Sequence, residues 1–310
     1  MKDRPVLLIR ADASKEIGHG HVMRCLALAQ EWQSRDGDVA IVSAQLRTKL
    51  VDRLRMSHID IYELTDSDQG GKDALRTVSL ATFLDADWLV LDGYQFNGFY
   101  QSIVGEHTRC KIMAIDDGMN PPGSIDIALN QNSWAVDPDV YGFGPTRMLN
   151  GSKYALLRKE FLYARGAVKD SIDATRVFIA TGGTDNAGMR DRVAAIVRGS
   201  GFNAITDISA MAACDMAISA GGGTCWELAY LGIPSILFST AENQRKTVED
   251  LSNRGIAISL GSAEHMADWQ IEDAVKSLAK HQDRRREMSS RGMKLVDGLG
   301  AKRVAEEMIG

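Results

Sequence analysis

The feature that most constrains this chain is an alternation of short apolar runs with amphipathic segments, carried through twice. "PVLLIR", "DVAIVSA", "IDIYEL", "ADWLVLDGY", "CKIMAIDDG" and "SIDIALNQN" read in order as buried strands. Between the early ones, residues 21–33, "TKLVDRLRM" and "DALRTVSLATFLD" carry apolar residues at helical spacing. This βαβα order predicts a parallel sheet with helices on both faces. A polar, poorly periodic stretch at 163–174 then reads as a linker. Beyond it a second series begins with "TRVFIATGGTDNAG", "CDMAISAGGGTCWELAYLGIP" and "SILFST", and the tail from Trp269 is mostly helical and charged. The expectation is an α/β chain of two doubly wound, Rossmann-like units, 1–162 and 163–310. In such sheets ligands bind beyond the carboxyl ends of the strands, so the residues that follow each strand are the candidates for chemistry.

The totals fit this expectation and exclude others. A length of 310 residues accommodates two domains. A net charge of −5, with no long basic run, argues against a nucleic-acid partner. Cys25, Cys110, Cys214 and Cys225 have neither CxxC spacing nor an accompanying histidine cluster, so reduced core cysteines are expected. The opening apolar run is too short for a signal peptide, and no later run is long enough to span a bilayer. A cytoplasmic protein is therefore expected.

The strand-end loops carry the informative residues. "GHGHVMRC" at 18–25 puts Gly18 and Gly20 where the chain turns from a strand into a helix. Glycines there permit tight turning and close approach of a ligand, and the free N–H groups of the helix favour an anion. The third glycine of a dinucleotide fingerprint is missing. A helix N-terminus disfavours imidazolium, so His21 is a candidate neutral base able to take a proton from water. A capping or structural histidine is the alternative from this motif alone. Arg24, one turn further on, is a candidate for the same cleft.

"SAGGGTCWE" at 219–227 offers Gly222, Gly223 and Thr224 as a phosphate cradle at a helix start. Glu227 is placed to accept from ribose hydroxyls, or to complement the helix terminus. In "ENQ", Asn243 and Gln244 suit a polyhydroxylated or acetamido ligand, with a helix cap as the alternative for Asn243. Asp92 and Tyr94 end one strand, with Asp92 a candidate substrate contact, and Asp116, Asp117 and Gly118 end another. The paired acids could hold Mg²⁺ or hydrogen-bond a sugar, and an Asp-Gly turn is also common for backbone reasons alone; no metal is the expectation. Gly183, in "TGGTDN", opens the second series. No G-x-S-x-G, Walker A or HExxH motif is present, which argues against a covalent serine mechanism or a zinc peptidase.

Taken in order, "RADASKEIGHGHVMRCLALA", "LVLDGYQF", "AIDDG", "SIDIALNQN", "YALLRKEF", "TGGTDN", "ISAGGGTCWELAYLGIPSI" and "ENQ" resemble one family. It is the UDP-2,4-diacetamido-2,4,6-trideoxy-β-L-altropyranose hydrolase family of pseudaminic acid biosynthesis, similar in turn to the MurG-like GT-B glycosyltransferases. The resemblance runs from Ile9 to about Leu260. It implies a GT-B fold, two Rossmann-like domains facing a cleft, with UDP on the C-terminal one and the sugar on the N-terminal one. It implies hydrolysis of the anomeric C–O bond with inversion, without metal or cofactor. His21 matches the family's general base, and Tyr94 and Asn243 match active-site positions. Gly222, Gly223, Thr224 and Glu227 fall where the family holds diphosphate and ribose.

One departure stands out. Between "RDRVAAIVRGSGFNAI" and "ISAMAACDMAIS" the chain is shorter than the family pattern, which predicts a reduced C-terminal domain and puts uracil recognition in question. Two other readings use the same features: a glycosyltransferase with a nucleotide-sugar donor, and a non-catalytic nucleotide-sugar binding protein.

Overall fold

A computed structural model describes residues 4–14, 17–64, 70–117, 123–135, 147–165, 172–183 and 188–310. Gly118, residues 184–186 of "TGGTDN" and residues 166–171 of the expected linker lie outside these. The chain divides into two compact units, 1–158 with 299–310, and 159–298.

The first unit is a parallel sheet of seven strands. Its elements are β1 (Val6–Ala11), α1 (Gly20–Gln33), β2 (Asp38–Ser43), α2 (Thr48–Met56), β3 (Asp60–Glu63), α3 (Gly71–Phe83), β4 (Trp88–Asp92), α4 (Gly98–His107), β5 (Lys111–Ile115), β6 (Ile127–Asn130) and β7 (Arg147–Asn150). The strand order is β3-β2-β1-β4-β5-β6-β7. Its direction reverses between β1 and β4, which makes their carboxyl ends the switch point where such sheets bind ligands. The central strands are apolar throughout because helices cover both faces. Leu7, Ile9, Val90 and Met113 face one buried cluster, and Leu8, Leu89, Leu91 and Ala114 the other.

The second unit contains α5 (Lys159–Ala164), β8 (Arg176–Ala180), α6 (Met189–Gly199), β9 (Asn203–Ile205), β10 (Met216–Ala220), α7 (Thr224–Leu231), β11 (Ser235–Ser239), α8 (Glu242–Asn253), β12 (Ala257–Ser262), α9 (Asp268–Lys280) and α10 (Gln282–Leu295). Its sheet has five parallel strands in the order β12-β11-β10-β8-β9. The passage read as shortened supplies only β9, three residues long, and a 3-10 turn at Ile208–Ala213.

The last helix departs from the expected boundary. α11 (Gly300–Ile309) was expected in the second unit and groups with the first. Its buried stripe, Ala301, Val304, Ala305 and Met308, completes the core around α1 and Trp88. Trp88 Nε1 donates to the Met308 carbonyl at 2.9 Å. The periodicity of that stripe says that the helix buries a face; it does not say against which sheet.

α4 and β7 are among the elements not read from the sequence. α4 has glycines at 98 and 105, which weaken helix propensity, and an exposed Phe99 that blurs its pattern. Its start is set instead by Asn97, whose side chain accepts from the N–H groups of Phe99 and Tyr100 at 3.1 and 3.2 Å. β7 is four residues at a sheet edge and too short for its alternation to register. The four cysteines are free, and all but Cys110 are buried. Among the described residues no helix is long and apolar enough to cross a membrane.

Candidate active site

In the first unit, four neighbouring strands deliver polar residues to the carboxyl end of the sheet. β1 leads through Gly18, whose φ of 80° is in the left-handed region, into α1 with His21 and Arg24. β4 ends on Asp92 and turns through Tyr94; β5 runs into Asp116 and Asp117; β6 runs into Gln131 and Asn132.

These residues form one hydrogen-bonded assembly. His21 Nδ1 lies 2.6 Å from Asp92 Oδ1. Arg24 donates from Nε and Nη2 to the two Asp92 oxygens, each at 2.7 Å, and from Nη1 to Asp117 at 2.8 Å. The Asp117 carboxylate also accepts from the Tyr94 hydroxyl at 3.1 Å and from Asn132 Nδ2 at 3.3 Å. The Cys25 thiol adds a weak bond to Asp92 at 3.3 Å. The Tyr94 ring stands edge-on to the imidazole, with centroids 5.1 Å apart and planes at 83°.

The carboxylate assigns the imidazole tautomer. Asp92 can only accept, so a proton on Nδ1 belongs to that bond, and in the neutral ring Nε2 is the nitrogen that carries the lone pair. Arg24 Nη2 lies 3.3 Å from the same Nδ1 and finds its acceptor on Asp92 instead.

Burial alone would raise the pKa of Asp92; the Arg24 guanidinium and then His21 outweigh it and hold the group low. Burial likewise opposes the lowering that Arg24 imposes on Asp117. Burial, then the Asp117 charge, push the Tyr94 phenol up, so it remains a donor. Carboxylates held below their unfolded values add stability that is full above pH ~4 and is lost as the pH falls toward the folded values. Thermal unfolding followed from pH 6 to pH 3 is expected to show a steep fall in Tm below pH ~4. Asp117→Asn should flatten that slope, and an unchanged slope would mean that the pair adds nothing at neutral pH.

Asp92 corrects one expectation. It was expected to touch substrate, yet it is fully buried, and its oxygens serve His21, Arg24 and Cys25. It orients the imidazole rather than a ligand. Arg24, also expected to bind substrate, spends its guanidinium on the two aspartates, and its side chain is 12 % exposed. Gly20 has open space where a Cβ would point. His19 is half-buried, and its Nε2 lies 3.0 Å from Arg47 Nη1. Asn132 is the residue of this site that the sequence reading left out. Its signal was the run of amides that closes "SIDIALNQN".

In the second unit, the expected residues also fall at strand ends. Gly183 follows β8; Gly222, Gly223, Thr224 and Glu227 follow β10; Asn243 and Gln244 follow β11, and these three strands are neighbours. The three consecutive glycines have different reasons to be glycine. A Cβ on Gly221 would meet Val248 Cγ2 at 2.5 Å and the Gln244 carbonyl at 3.0 Å, whereas Gly222 and Gly223 face open space at the start of α7. Gly221→Ala is therefore expected to cost about 1–3 kcal/mol of stability. Gly222→Ala should leave stability within about 0.5 kcal/mol. Denaturant midpoints separate the two, and equal losses would refute the packing argument. Glu227 is buried in the first turn of α7. Gln244 accepts on Oε1 from the Thr240 N–H and hydroxyl at 3.0 and 3.1 Å. Asn243 is not the helix cap, which is Ala241. Among the described residues, no group of three or more His, Cys, Asp or Glu side chains is arranged to hold a metal ion.

Comparison with known proteins adds three kinds of finding. The family model for the glycosyltransferase family 28 C-terminal domain matches residues 151–306. The chain is similar to the UDP-2,4-diacetamido-2,4,6-trideoxy-beta-L-altropyranose hydrolase of Campylobacter jejuni, 29% identical over 181 residues, covering 58% of this chain and 61% of that protein. It is similar to the spore coat polysaccharide biosynthesis protein SpsG of Bacillus subtilis, 26% identical, covering 58% and 63%. The chain thus spans about three fifths of the length of these curated relatives. Among solved structures, MurG of Acinetobacter baumannii superposes with a TM-score of 0.66 at 14% identity, covering 98% of this chain and 99% of that one. Spinosyn rhamnosyltransferase SpnG gives 0.67 at 13% identity, covering 97% and 100%. The fold is α/β of the GT-B type, with two parallel sheets, and the resemblance read from the motifs to the hydrolase and to MurG-like proteins stands.

Proposed function

We propose, from the premise that the chain belongs to the family of the glycosyltransferase family 28 C-terminal domain, that it hydrolyses a UDP-diacetamido-trideoxyhexose to UDP and the free sugar. The observation that carries this reading is the 2.6 Å contact of His21 Nδ1 with a buried carboxylate. An imidazole held in that way offers Nε2 to water. The base takes one proton from water as the oxygen forms its bond to the anomeric carbon. The C–O bond to the diphosphate breaks on the opposite face, the electron pair leaves with UDP, and the configuration inverts.

The first unit supplies the base and a polar surface of Tyr94, Asp117 and Asn132 for the sugar. The second supplies the diphosphate contacts through Gly222, Gly223, Thr224 and the N–H groups opening α7, with Glu227, Asn243, Gly183 and Gln244 nearby in sequence or at neighbouring strand ends. Donors already fixed by the fold would stabilise the charge that develops on departing UDP at little reorganisation cost. Gly222 and Gly223 support this assignment because neither positive φ nor close packing requires glycine there. The residue types and the hydrolase relative favour placing the reaction in nonulosonic (pseudaminic) acid biosynthesis, in the cytoplasm, without metal.

A glycosyltransferase on this scaffold is the competing reading, favoured by the family's description. One experiment separates the two. The protein is incubated with UDP-diacetamido sugars, without acceptor and with a chelator, and UDP release is followed by NMR. Rapid release of UDP with an inverted free sugar supports hydrolysis. Release only on addition of an acceptor supports transfer. Loss of release with the chelator and recovery with Mg²⁺ would overturn the metal-free mechanism.

A further inference from the structure

Beneath the Tyr94 turn lies a second polar cluster that the proposed reaction does not use. Arg10, on β1, is fully buried. It donates from Nε and Nη2 to the two Asp73 oxygens at 3.1 and 2.7 Å, and from Nη1 to Asp12 at 2.6 Å. Tyr100 donates to Asp73 at 2.6 Å. Asp12 further accepts from the Ser43 hydroxyl and the Ala44 N–H, each at 2.8 Å. One cation and two carboxylates are thus withdrawn from water, a costly arrangement that an apolar cluster could replace without loss of stability. Position, rather than stability, is the better account of it.

The cluster reaches the candidate site through the turn that follows β4. Gln95 Nε2 donates to the second Asp12 oxygen at 2.9 Å. The Arg10 guanidinium lies over the Phe96 ring, 4.7 Å from its centroid. Gly93 to Phe96 form a turn closed by the Phe96 N–H on the Gly93 carbonyl at 3.1 Å. The Gln95 amide fills the space beside Gly93, so that a Cβ there would meet Oε1 at 2.6 Å. Tyr94 lies inside this turn and is itself 41% exposed. The turn beneath it therefore sets where its ring and hydroxyl lie.

We infer that Gln95 is a positioning residue. Its bond to Asp12, anchored by buried Arg10, holds the Gly93–Phe96 turn so that Tyr94 stays against His21 and on Asp117. The inference rests on the reading of this site given above, and its test has a readout independent of turnover.

Gln95→Leu keeps the size and removes the donor; Gln95→Glu sets a carboxylate against Asp12. Tyr94→Leu calibrates the ring-current effect of the tyrosine on the His21 proton resonances. Both Gln95 variants are expected to move the His21 resonances toward their Tyr94→Leu positions. They should lower kcat about 10-fold, with KM changed less than about 2-fold, since small misplacements near reacting groups act mainly on rate. Gln95→Asn, which retains an amide donor, should recover part of both effects. Unmoved His21 resonances in Gln95→Leu and Gln95→Glu overturn the inference whatever the rates. If the wild-type protein releases no UDP, the proposed reaction fails, while the resonances still decide the role of Gln95.

Discussion

Replacing His21 with alanine is expected to lower UDP release by about 10²–10⁴-fold, the range that a positioned general base supplies. The affinity for UDP should change less than about 2-fold, because the residues assigned to the diphosphate belong to the other unit. The fold should survive. Asp92 keeps both bonds from Arg24 at 2.7 Å, so no buried charge is orphaned. A His21→Ala protein that still released UDP at more than a tenth of the wild-type rate would remove His21 from the mechanism.

Asp92→Asn should damage both chemistry and stability. The amide that replaces the carboxylate can donate to Nδ1, which would move the imidazole proton to Nε2 and leave no lone pair for water. A loss of about 10²–10⁴ in kcat, with KM little changed, is expected from the wrong tautomer. Arg24 would keep only Asp117 as an ionic partner. Removing one member of a buried ion pair costs about 3–5 kcal/mol, and the low end applies because Asp117 remains. A denaturant midpoint shifted by that amount together with the lost rate is the expected pair of results. If stability fell while kcat stayed, Asp92 would be structural only, and the tautomer argument would fail.

Part of the candidate site was legible in the sequence. His21, Asp92, Tyr94 and Asp117 each stand after an apolar run, and the sheet brings all four to the carboxyl ends of neighbouring strands. What each does there was not legible. Asp92 read as a ligand contact because a carboxylate at a strand end usually meets solvent, yet α1 covers it and Arg24 neutralises it. The dipole argument for His21 considered only its own helix and missed the carboxylate 71 residues away that orients the ring. The glycine loop was legible as a loop, but the packing role of Gly221 depends on Val248 and Gln244 in a helix further along the chain.

The α/β class, the two series of strands and the loops at which chemistry could sit follow from the order of residues alone. Those properties come from apolar spacing and turn residues, which act over a few neighbours along the chain. Which charges neutralise one another, which face hides Asp92, and which sheet receives α11 are fixed by the folded chain. Pairings across strand ends depend on strand order, and strand order is set by collective burial rather than by any local pattern.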